Sequence, residues 1–173
     1  MAWRDEGEVE IEYPNRAKAS SKTTKAVVIV LLLASAALTV IISVGGWSVL
    51  SGMKIVSLVF AAVYLVMAFF VARWKGGVLP VSAAVALVFG IFGAVSIPAW
   101  SDRTNAGYMD PALPSELLGT LTLILVVVQV LLIIASMRGF QQAWGVEIEH
   151  VVREREQRAG VGRVPPQAQT QPG

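Results

Sequence analysis

Four uninterrupted apolar blocks, none holding an Asp, Glu, Lys, Arg or His, restrict this chain more than any other feature. They cover 26–44, 55–72, 78–97 and 117–137. A domain folded in water would interleave apolar with polar residues, because one face of each helix or strand stays wet. At ~1.5 Å rise per residue each block reaches roughly 27 to 32 Å as a helix, the thickness of a hydrocarbon core. The expected fold is therefore an all-α membrane protein, a four-helix transmembrane bundle.

Charge placement orients it. Arg4, Arg16, Lys18, Lys22 and Lys25 precede the first span, Arg73 and Lys75 join the second to the third, and Arg138, Arg153, Arg155, Arg158 and Arg163 follow the fourth. Only Lys54 and Arg103 fall on the other side. The positive-inside rule then puts the N- and C-termini in the cytoplasm. The net charge of +2 and pI near 9.2 are thus an orientation signal and call for no nucleic acid partner. The first block begins only at residue 26 and lacks a clear small-x-small cleavage site, so it reads as a retained span rather than a signal peptide.

The domain plan follows. Residues 1–25 form a cytoplasmic segment, acidic and then basic; 26–137 is the four-span domain; 138–159 is a cytoplasmic juxtamembrane segment; 160–173, rich in Pro, Gln and Gly, is a disordered tail. Pro98 is expected to close the third span, and Asp110 or Ser115 to cap the fourth. The five-residue turn at 73–77 makes spans two and three neighbours. Phe140, Trp144, Ile148 and Val152 recur every four residues, as on an interfacial helix. Yet Val-Glu-Ile-Glu occurs at both 9–12 and 146–149, so a strand pair beneath the bundle is the competing reading, with a fortuitous repeat as the third.

Within the spans, Ser82, Ala86, Gly90 and Ala94 recur at a spacing of four and are the candidate helix-packing stripe. On that basis span three is expected at the close-packed centre, and span four, mostly Leu, Val and Ile, toward lipid. Gln129 is the most polar side chain at depth and is expected to make an interhelical hydrogen bond worth ~1 kcal/mol. Ser35, Thr39 and Ser43 draw a polar line on span one. Trp47, Trp74, Trp100 and Trp144 follow the four spans in turn and are expected as interfacial anchors.

Chemistry is sparse. The chain has no cysteine, which excludes disulfides and thiolate sites. The one His, His150, stands three after Glu147, but carboxylate-bridged metal sites need two such motifs in a bundle core. No catalytic, cofactor or metal residues are assigned, and no cofactor is expected. The span layout resembles that of tetraspanins without their outer-loop cysteines, and of small multidrug carriers without their first-span glutamate; the chain is placed in neither family. The leading expectation is a non-enzymatic accessory or scaffold protein of a bacterial plasma membrane, whose partners are the lipid bilayer and another membrane protein or a second copy. The alternative is an oligomeric channel, exporter or holin-like pore.

Overall fold

The computed structural model describes residues 9–50, 52–105, 107–146 and 148–151, with the backbone alone for 9–12 and 148–151. Its order is β1 (Val9–Glu12), α1 (Pro14–Ala17), α2 (Ala19–Gly45), α3 (Met53–Ala72), α4 (Val78–Asp102), α5 (Ser115–Gln141) and β2 (Ile148–Val151). The chain separates into two units, Asn15–Gly145 and a second made of the flanking segments.

The larger unit is all-helical among its described residues, and α2 to α5 are each long and apolar enough to cross a membrane. In hydrocarbon a backbone N–H or C=O has no water to bond, so the chain satisfies each within its own helix. Each apolar block lies inside one helix. Their outward faces carry side chains such as Ile55, 75% exposed, and Val95, 73% exposed, which suit contact with lipid.

Neighbouring helices differ in how closely they pack. α4 lies closest along α5, α2 runs against both α3 and α5, and α3 approaches α4 least. Span three thus does not stand alone at the centre, and span four packs along both spans one and three while most of its side chains face outward. The reason is side-chain size. Phe60 of α3 stacks on Phe89 of α4 at 4.4 Å between ring centroids, and Tyr64 meets Phe89 edge-on at 5.9 Å. These rings hold the two backbones apart although a short turn joins them.

On both α4 and α5 the buried positions alternate steps of three and four. The inward, buried face of α4 runs through Leu79, Ser82, Ala86, Phe89, Gly93 and Trp100, with Ala83 beside it, and that of α5 through Leu118, Thr122, Leu125, Gln129, Leu132, Ser136 and Gly139. That alternation follows one face of each helix, whereas a strict step of four winds about 40° around the axis each time. The stripe at Ser82, Ala86, Gly90 and Ala94 consequently starts inside the bundle and leaves it: Ser82 and Ala86 are buried, Gly90 is half-buried and Ala94 is exposed. Gly93 takes its place in the seam, where an added Cβ would lie 3.0 Å from Val126 Cγ2.

Helix ends also depart from expectation. α4 continues through Pro98 to Asp102, since losing one N–H inside an otherwise bonded helix does not end it. No side chain caps α5: Pro114 precedes it, with neither Asp110 nor Ser115 bonding its first turn. The loop after α4 is instead tied to the end of α2, where Leu113 N–H donates to Gly45 O at 3.1 Å.

In the second unit β1 and β2 form an antiparallel pair, with Ile11 opposite Glu149 and Glu12 opposite Ile148. This selects the strand reading over the amphipathic helix for 148–151, and it adds a ribbon to what is otherwise helical among the described residues. Residues 1–8 and 152–173, including the tail, lie outside the described residues.

The seam predicts that Gly93→Leu lowers the unfolding free energy in detergent by about 1–3 kcal/mol, the cost of overpacking a tight interface. Gly77→Leu, where nothing lies within 4 Å of an added Cβ, leaves stability unchanged. Denaturant titration of both variants checks this.

Candidate functional site

Polar side chains deep in the bundle converge on Gln129. It sits on the buried seam of α5, 1% exposed, with Tyr64 of α3 and Ser35 of α2 fully buried beside it. Tyr64 Oη donates to Gln129 Oε1 at 2.7 Å. Gln129 Nε2 donates to Ser35 Oγ at 3.1 Å, and Ser35 Oγ donates onward to Leu31 O at 2.8 Å. One amide thus joins three helices, and the relay ends on a backbone carbonyl.

The fourth helix supplies room. An added Cβ on Gly90 would lie 3.3 Å from Gln129 Cβ, so glycine lets α4 pass close over the amide stem. The structure thereby brings together Gly90 and Gln129. Ala86, Gly90 and Ala94 meanwhile floor an open groove of about 190 Å³ beside Val126, Val130 and Ile133. Ser82 is turned to α3, donating to Val78 O at 3.0 Å with Met67 Sδ 3.3 Å away.

The line on span one is spent on its own helix. Thr39 Oγ1 donates to Ser35 O and Ser43 Oγ to Thr39 O, each at 2.6 Å. With Ser57, Ser96 and Thr122 these two hydroxyls line a cavity of about 150 Å³, closed on one side by Phe89, Phe92 and Trp100. Ser57, Ser96 and Thr122 likewise donate to carbonyls four residues back, Met53, Phe92 and Leu118. What faces the cavity is therefore a set of oxygen lone pairs among apolar walls.

The four tryptophans divide. Trp47 is exposed, with Lys54 Nζ 5.1 Å from its ring centre, and Trp74 is half-buried under Lys25 Nζ at 4.1 Å. Trp100 and Trp144 are only 5% and 1% exposed. Trp144 closes the end of the bundle: its ring meets Trp74 edge-on at 5.4 Å and its Nε1 donates to Gln142 Oε1 at 3.0 Å. Asn15 Nδ2 and Arg16 Nε donate to the carbonyls of Ala143 and Trp144, clamping the turn after α5 to α1. Sequence reasoning placed Trp144 on an interfacial helix or as an interfacial anchor and missed this buried plug, because the turn that ends α5 at Gln141 folds the ring back over the bundle.

Chemically the central network offers a phenol, an amide and a hydroxyl, all neutral. No group of three His, Cys, Asp or Glu that could hold a metal occurs among the described residues. Glu147 lies outside them, and of His150 only the backbone is placed, opposite Glu10. No protein-family model, curated protein or solved structure matches the chain.

The network predicts coupling between its members. Tyr64→Phe and Gln129→Leu each destabilise the bundle, and the double variant loses less than the two losses added, by about 0.6–1.7 kcal/mol. Unfolding of the four proteins in detergent reads this out, since removing both partners leaves no stranded polar group.

Proposed function

We propose that this chain is a non-enzymatic accessory or scaffold protein of a bacterial plasma membrane, with both termini in the cytoplasm, acting by binding another membrane protein or a second copy. The observation that carries this reading is that the polar groups around Gln129 bond within the bundle, while the buried hydroxyls left without a partner, Ser21 and Ser136, lie toward the basic end. Tyr64, Gln129 and Ser35 satisfy one another, and the hydroxyls of Thr39 and Ser43 return to their own backbone. Nothing charged stands among them to bind a proton, ion or polar substrate, as carriers and pumps require.

Orientation rests on the two ends of the bundle. Within Asn15–Gly145 one carries Arg16, Lys18, Lys22, Lys25, Arg73, Lys75 and Arg138 and no carboxylate, the acidic residues of that side lying in the flanking segments; the other carries Asp102, Asp110 and Glu116 with Lys54 and Arg103. That asymmetry supports placing the basic end inside. A binding face is supported by the open groove over Gly90 and Ala94, whose small floor admits a helix backbone closely.

Reconstitution separates this reading from a pore. Liposomes containing the protein are expected to retain a trapped small solute as well as empty ones do, with Gln129→Leu no different. A photo-crosslinker at Ala94 in native membranes is expected to yield a discrete protein adduct. Solute release that Gln129→Leu abolishes overturns the proposal.

A further inference from the structure

A second groove, of about 600 Å³, runs between α2 and α5 at the basic end of the bundle and opens sideways. Its volume falls in the range that holds small organic ligands. It is amphipathic along its length. Val27, Leu31, Leu131 and Ile134 line the part toward mid-depth, and Ser20, Thr23, Arg138 and Gln142 line the part at the helix ends.

The polar part is built to receive an anion. Arg138 is exposed and has no ion pair or hydrogen bond among the described residues, and Ser20 Oγ likewise bonds no neighbour. Gln142 is fixed as a wall, its Nε2 donating to Thr24 Oγ1 at 2.9 Å while its Oε1 accepts from Trp144. Within Asn15–Gly145 no carboxylate lies at this end. Basic pockets between membrane helices with this division of polar and apolar walls suit phospholipid headgroups.

We propose that this groove holds one anionic glycerophospholipid, its phosphate at Arg138 and Ser20 and one acyl chain along Val27, Leu31, Leu131 and Ile134. A single guanidinium matches a headgroup of one net negative charge, such as phosphatidylglycerol. The guanidinium and the serine hydroxyl donate to the phosphate oxygens, and the acyl chain covers apolar surface that the two helices leave open.

Native mass spectrometry of the full chain released from nanodiscs tests this, with phosphatidylglycerol and phosphatidylcholine of matched acyl chains in equal amounts. The protein is expected to retain one phosphatidylglycerol with a preference of about fivefold, the factor that one basic side chain near an anionic headgroup contributes. Arg138→Gln is expected to erase that preference and Arg73→Gln to leave it intact. Ile134→Trp fills the groove from its exposed side with every charge in place, and is expected to lose the retained lipid of either kind. Millimolar inorganic phosphate is expected not to displace it. Equal retention of the two lipids by the unaltered protein overturns the proposal. So does an equal loss of preference with Arg73→Gln, undiminished retention by Ile134→Trp, or displacement by free phosphate.

Discussion

Inside a hydrocarbon layer a polar group either finds a partner within the protein or goes without one, and this constraint shapes the molecule at every scale. At the scale of the backbone it makes the four apolar blocks helices. At the scale of side chains it sends hydroxyls back to their own carbonyls and draws the one deep amide to a phenol and a hydroxyl on two other helices. Gln129 can be satisfied only if α2, α3 and α5 stand in one arrangement. A hydrogen bond of modest strength therefore selects a packing that apolar contacts alone would specify loosely, because Leu and Val pack as well against lipid as against each other.

The remaining features serve that arrangement. Gly90 and Gly93 admit α4 to the side of α5, while Phe60, Tyr64 and Phe89 prop α4 away from α3. The result is uneven spacing: a close approach of α4 to α5 and, among all four helices, a small cavity rimmed by hydroxyl oxygens. Each end is sealed differently. At the basic end Trp144 is held by Gln142 and packed on Trp74; at the other, the loop before α5 is tied to Gly45 and Trp100 packs inward.

The spans were legible because run length and exclusion of charge are properties of the chain read in one dimension. Gln129 was legible for the same reason, as the lone amide among aliphatic neighbours. Its partners were not: no spacing rule connects Ser35, Tyr64 and Gln129, which come together only once the helices choose their neighbours. The small-residue stripe was half right for a geometric reason, since a step of four drifts around the helix and carries Ala94 out of the interface while Gly93 enters it. The five-residue turn at 73–77 did make spans two and three neighbours, but how closely they pack is set by the bulk of Phe60 and Phe89 and could not be read from the turn. Trp144 was read as an interfacial anchor, and its burial was not legible because a side chain beyond a helix end takes its role from tertiary contacts.

The central claim is a dry, closed core in a chain that crosses the bilayer with its basic end on one side. Because the chain has no native cysteine, single cysteines can report on it directly. Leu125→Cys and Leu132→Cys lie about one helical turn to either side of Gln129 on the buried seam. In sealed proteoliposomes both are expected to resist a small water-soluble thiol reagent, while Lys54→Cys and Arg73→Cys label from opposite sides. Rapid labelling at 125 or 132, or labelling of 54 and 73 from the same side, would contradict the account.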